Sequence, residues 1–289
     1  MDRYKSTKIA GIFGIIGNVF LLIIKSFIGL VSHSQAMIAD AVNSAGDIFA
    51  SLMTFIGNKI ASEPSDESHN FGHGKAEYVF SLFISLSMMF IAGKLLIDSI
   101  TNLINGSKFT FSWFLVLVCI ITILTKLFLF LYTRYLYKRN ENLLLKSNMA
   151  DHRNDCILTT FTLISVLLSL VNIYWFDAVV GIGISIWIFY TGIKIFIESY
   201  NVLMDKSLDS KTKDIILDLI DTYSEIEKVD EIYSSPIGYQ YIVTITIYVD
   251  GNMSTFNSHH VADDLEKNVE ALDSIAKAII HVNPIWLFK

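Results

Sequence analysis

Cysteine is nearly absent from the 289 residues, with only Cys119 and Cys156 present. Both fall in apolar segments, so neither a disulfide framework nor a thiolate metal motif is available, and each reads as a small buried hydrophobe. Charge is scarce as well, at 17% of residues, and what there is leans acidic, with a formal net charge of −6. No basic stripe with interleaved aromatics occurs, which argues against nucleic acid as a partner. Low-complexity tracts and short-period repeats are missing. No A-x-A-like cleavage site follows the basic start and its long apolar run, so MDRYKSTKIAGIFGIIGNVFLLIIKSF reads as a first transmembrane helix and not as a secretory signal.

What the chain does have is apolar sequence: 53% of its residues are hydrophobic and its mean hydropathy is +0.50, a membrane composition. Six segments are long enough to span a bilayer, at roughly 8–31, 36–58, 77–103, 111–134, 148–171 and 175–200. The fifth is the weakest, because its purely apolar part starts only after Asp155; its polar first turns must face protein or water. Arg3, Lys5 and Lys8 precede the first span, Lys59 and Lys75 lie between spans two and three, and Arg134, Lys138, Arg139 and Lys146 lie between four and five. The opposite loops hold only Lys108, so a multi-pass protein of the cell membrane with both termini cytoplasmic is expected. Trp113 and Trp175 fall at the outer ends of spans four and six, where an aromatic belt would put them.

After about Leu203 the composition becomes that of a small soluble domain. Apolar positions have helical spacing over 210–223, alternate as in strands over 229–236 and 240–249, return to a helical pattern over 257–272 with Asn257 or Ser258 as N-cap, and end in a strand over 276–282. The fold class is therefore a six-helix membrane domain, 1–205, followed by a small cytoplasmic α+β domain, 206–289, with the order αββαβ of ferredoxin-like and metallochaperone-like folds. A domain this small is marginal alone, so pairing with a second copy is expected.

The stretch ADAVNSAGD, residues 39–47, lies inside span two. At about 100° per residue, Asp40, Asn43 and Asp47 share an arc of roughly 60° on one helix face. Span five carries Asp151 and Asp155 at i and i+4, again on one face. Between them the two spans offer oxygen ligands only, as a metal site between bundle helices requires. Four uncompensated aspartates at the bilayer centre would cost on the order of 10–14 kcal/mol, comparable with the stability of a whole domain. A bound cation, protons, or the two in alternation must neutralise them, and alternation is the expectation. The reading requires these carboxylates to converge without fixed basic partners.

These residues resemble the cation diffusion facilitator family. The matching features are the A-D-A-x-x-S-x-x-D pattern of span two, here with Asp40, Asn43, Ser44 and Asp47, the paired Asp151 and Asp155 of span five, the loop HNFGHGKAE at 69–77, and the order of six spans plus an αββαβ domain. The resemblance implies a homodimeric transporter, with no prosthetic group and no enzymatic activity, that moves a divalent metal out of the cytosol in exchange for protons. It places the transport site on Asn43, Asp47, Asp151 and Asp155, with Asp40 as an accessory. Zinc-carrying members have histidine at one or two of these positions; Asn43 and Asp151 depart from that and resemble the manganese-exporting branch. Carboxylate, carbonyl and water ligands also suit manganese better than zinc, while magnesium sheds water reluctantly, so Mn2+ is favoured over Zn2+ and Fe2+. By the same resemblance Asp66, His69 and His73 form a second metal site in the loop, and His259, Asp263 and His281, near His260, a third in the soluble domain, although Asn283 stands where relatives have aspartate. For the loop set the alternative reading is histidines that are solvated or cap span three, and for the soluble-domain set it is a helix N-terminus rich in polar residues that holds no metal. Arg153 is either a gating partner of the acids or a side chain reaching the interface.

Two other classes use intramembrane acids. An intramembrane aspartyl protease needs one acid from each of two helices and a G-x-G-D motif, whereas span two reads S-A-G-D and span five carries two acids on one turn. A cation channel would lack saturable transport driven by a pH gradient.

Overall fold

The computed structural model describes residues 3–31, 35–105, 112–171, 173 and 175–285; the side chains of 29, 31, 35–43 and 177 lie outside the described set. Six long helices come first: α1 (Arg3–Val31), α2 (Gln35–Ala61), α3 (Ala76–Asn105), α4 (Trp113–Arg139), α5 (Leu143–Leu168) and α6 (Trp175–Leu203). Among the described residues, five segments are long and apolar enough to cross a membrane, drawn from α1, α3, α4, α5 and α6. The chain forms two compact units, one of residues 1–63 and 76–200, the other of 64–75 and 201–289. The loop 64–75 thus clusters with the C-terminal segment, while the sequence pattern placed it inside the helical domain.

In the helical unit α1 packs along α2, and α4 along α5. Close approach of α1 and α2 depends on small residues, as is usual between membrane helices: a Cβ on Gly14 would lie 2.6 Å from the Ser51 hydroxyl oxygen. Asn18 of α1 donates to the Asp47 carbonyl and the Ser51 Oγ, at 3.1 Å each, which fixes the helix turn that carries Asp47. The polar first turns of α5 are turned inward, with Ser147, Asn148, Asp151, His152 and Asn154 all buried. Glu77, in the first turn of α3, joins three elements. Its carboxylate accepts from the Arg3 guanidinium at 3.0 Å and from the Leu143 backbone N–H, the first of α5, at 2.6 Å. A carboxylate placed at helix N-termini satisfies N–H groups that lack intrahelical partners.

The C-terminal unit has the order α7 (Ser210–Ile220), β1 (Ile226–Pro236), β2 (Tyr241–Asp250), α8 (Thr255–Glu270) and β3 (Ile275–Ile285). β2 is central, antiparallel to β1 and parallel to β3, with Ile245 opposite both Ile232 and Ile280. Alternation along β2 sends Val243, Ile245, Ile247 and Val249 into one core with Ile216, Ile220, Leu265 and Val269 of the two helices, which places both helices on one face of the sheet. Helix α8 starts earlier than the sequence suggests: Ser254, not Asn257 or Ser258, is its N-cap, accepting from the Asn257 N–H. Gly238 has φ +107° and lies 3.1 Å, Cα to added Cβ, from Gly74, a backbone conformation and a proximity that both exclude a side chain.

Candidate functional site

The helices place the acids as follows. Asp47 of α2 and Asp155 of α5 converge, and a lysine lies between them. The Lys126 ammonium of α4 donates to Asp47 Oδ2 at 2.7 Å and to Asp155 Oδ2 at 2.5 Å, with the lysine side chain 1% exposed. A cavity of about 80 Å3 adjoins this triad, lined by Lys25 of α1, by Thr122 and by Thr159 and Thr162 of α5. Lys25 is itself buried.

This arrangement corrects one expectation and adds to another. Convergence of the α2 and α5 carboxylates is present, but freedom from a basic partner is not, since the ammonium of a lysine on a third helix is paired with both. The oxygen donors also have a nitrogen neighbour: Asp151, His152 and Asp155 each offer a ligand atom within 4.8 Å of one another. His152 is fully buried, and both of its ring nitrogens, together with Asp151 Oδ2, lack hydrogen-bond partners among the described residues. Among the described residues Arg153 makes no ion pair with the acids; its guanidinium lies over the Trp187 ring of α6 at 5.4 Å. The side chains of Asp40 and Asn43 lie outside the described residues.

Lys126, Lys25 and His152 are the candidate-site residues that sequence reasoning passed over. The signal was there: an ionisable residue inside an apolar span is by default a functional site, because its burial must be compensated. Helical periodicity on the acid-bearing spans says nothing about which basic residue of another span will meet them.

In the C-terminal unit the loop trio is assembled. Asp66, His69 and His73 bring ligand atoms within 4.8 Å of one another. Asp66 Oδ1 accepts from the backbone N–H of His69 at 2.6 Å and of Ser68 at 2.9 Å. The His69 N–H, first, holds its carboxyl below the usual carboxylate range, so it is ionised and ready to bind a cation at neutral pH. His73 Nδ1 lies 3.2 Å from the Pro64 carbonyl. A carbonyl only accepts, so this contact places a proton on Nδ1, and Nε2, 3.6 Å from Asp66 Oδ2, is the ring nitrogen turned toward the carboxylate. The set in the small domain is less complete. His259 Nδ1 and Asp263 Oδ1 are 3.5 Å apart on α8 and exposed, whereas His281 sits exposed on β3 and completes no three-donor group with them among the described residues.

Residues 11–204 match the family model described as the cation efflux transmembrane domain, and residues 208–285 match that of the cation efflux protein cytoplasmic domain. An uncharacterized transporter of Methanocaldococcus jannaschii is 28% identical over 94% of this chain and 96% of its own length. The manganese efflux system protein MneP of Bacillus subtilis is 24% identical over 99% and 98%. The cation-efflux pump FieF of Salmonella typhi is 27% identical over 91% and 88%. Matched along nearly its whole length, with its apolar helices and its small α+β unit in the family's order, the chain belongs to the cation efflux family, the cation diffusion facilitators, and is a multi-pass membrane transporter of cations and not an enzyme.

Proposed function

We propose that the protein exports a divalent metal from the cytosol in exchange for protons, as a homodimer with both termini cytoplasmic, and that the metal is Mn2+. The observation that carries the site assignment is the convergence of Asp47 and Asp155, from two helices, on a single cationic atom. Two carboxylates aimed at one point are arranged to hold a cation. With Asp151 beside them and Asn43 one turn before Asp47, they make the transport site; Asp40 is an accessory acid. Hard carboxylate oxygens favour Mn2+. When the metal leaves, acids crowded in a low-dielectric site repel one another, which promotes proton uptake.

His152 supports a second reading, in which Zn2+ or Fe2+ is the main cargo, since imidazole suits both. The names of the relatives do not separate the two, because a manganese efflux protein and a cation-efflux pump match this chain about equally. Competitive uptake of Mn2+, Zn2+, Fe2+ and Mg2+ by the reconstituted protein under an imposed pH gradient decides. Saturable, gradient-driven Mn2+ uptake that Mg2+ barely inhibits is the expected result. Preferential Zn2+ uptake that shifts toward Mn2+ in His152→Leu would transfer the assignment to the second reading, and uptake indifferent to the pH gradient would remove the proton from the mechanism.

The loop trio is proposed as a separate divalent-metal site outside the membrane, with His73 Nε2, a His69 ring nitrogen and the Asp66 carboxylate as ligands; His259, Asp263 and His281 are weaker candidates for a third. In a calorimetric titration of the full chain with Zn2+, His73→Ala should delete one binding event and leave the others. An unchanged isotherm would reduce the trio to a hydrogen-bonded turn.

A further inference from the structure

We propose that Lys126 is a resident counter-cation: its ammonium occupies the cargo seat when no metal is bound, and a divalent ion binds by exchanging with it. The inference rests on the transport-site reading above. Five ionisable groups meet here: the buried carboxylates of Asp47 and Asp151, the Asp155 carboxylate at 18% exposure, and the buried ammonium groups of Lys25 and Lys126. With all of them ionised, three negative charges against two positive leave one net negative charge. A divalent ion and an ammonium repel each other strongly at low dielectric, so the two cannot share the Asp47 and Asp155 oxygens that the lysine already holds. An ion that displaces the ammonium inherits the two carboxylates it held and leaves the like charge at a greater distance.

Geometry favours exchange. Lys126 spans from α4 to both Asp47 on α2 and Asp155 on α5, so a metal held by those oxygens and the ammonium compete for the same point. Lysine is a point charge on a flexible four-carbon stem, able to withdraw without moving its helix. The adjoining cavity of about 80 Å3, against roughly 30 Å3 for a water molecule in the liquid, gives the ammonium room, and the hydroxyls of Thr122, Thr159 and Thr162 give it acceptors. Such a device has two consequences for transport. The empty carrier reorients with all but one of its negative charges compensated, which leaves a single carboxylate for the returning proton, and only a metal ion that these carboxylates bind better than an ammonium gains the seat, which excludes monovalent metal ions.

A purely structural strut would predict the opposite sign on removal, and that is the test. Mn2+ and Zn2+ are titrated into the purified full-length chain, with Asp47→Asn, made in wild type and in Lys126→Met, marking which binding event belongs to the membrane site. Exchange predicts that Lys126→Met and Lys126→Gln bind metal at that site about tenfold tighter or more, and release it more slowly in vesicle transport. Lys126→Arg keeps the charge and grips two carboxylates through a planar fork, so it should bind metal more weakly than wild type; this variant carries the test if the neutral ones do not fold. Affinity unchanged or weakened in the neutral variants, or unchanged in Lys126→Arg, overturns the proposal while leaving the transport site in place. If Asp47→Asn deletes no binding event in either background, the transport-site reading fails and takes the proposal with it.

Discussion

Reconstituted Asp155→Ala protein loses Mn2+ uptake by more than the roughly 10–100-fold that changes to outer-shell partners of a metal cost. Asp155 supplies one of the two carboxylates that converge from different helices, so its loss leaves the seat with Asp47 alone on that axis. The same change strands Lys126, 1% exposed, with a single acid, and half-breaking a buried ion pair costs about 3–5 kcal/mol. Loss of transport through unfolding and loss through missing chemistry must therefore be separated. Asp155→Asn keeps the shape and one acceptor for Lys126, and it should fold while still failing to transport. The double variant Asp155→Ala with Lys126→Met should recover much of the stability and none of the uptake. Wild-type uptake by Asp155→Asn, measured in vesicles with a pH gradient, would remove Asp155 from the site.

Glu77→Ala unfolds the helical unit more readily than any surface change, by about 3–5 kcal/mol. Glu77 is 1% exposed and holds Arg3 of α1 and the first N–H of α5 at once. Without it the guanidinium, only 14% exposed, loses the Glu77 carboxylate and keeps its bond to the Glu141 carbonyl, while the Leu143 N–H loses its side-chain acceptor; a buried donor stripped of its acceptor is among the expensive faults in a folded chain. Glu77→Gln retains a carbonyl for Leu143 and should recover part of the loss. Thermal unfolding of the detergent-solubilised full chain in the two variants is the measurement. Equal melting of Glu77→Ala and wild type would mean that Arg3 and Leu143 find water instead.

How far the sequence could be read differs from element to element. The order of the α+β unit was legible because β2 alternates strictly and the helices carry one apolar face each; several element ends moved by up to three residues, and the α8 cap was misplaced, since Ser254, Asn257 and Ser258 are all chemically able to cap and the chain path past Asp250 chose among them. The acids were legible because carboxylates inside apolar helices demand compensation. What supplies that compensation was not legible: Lys126 is 79 residues from Asp47 and 29 from Asp155 along the chain, and no periodicity relates residues on separate helices. The imidazole of His152 was hidden for a related reason. One residue from Asp151 it is rotated by about 100° on the helix, off the face that the i, i+4 spacing selects, and only side-chain reach brings its ring to the acids.

The amino-acid order alone settled that this chain crosses a membrane repeatedly, ends in a small α+β unit and carries acids on two of its helices, because hydropathy and periodicity are local properties written in neighbouring residues. Which charges meet was decided only when α1, α2, α4 and α5 packed: burial then forced each ionised group to find an opposite one, and the nearest partner for Asp47 and Asp155 was an ammonium on a helix that local pattern had marked as merely apolar.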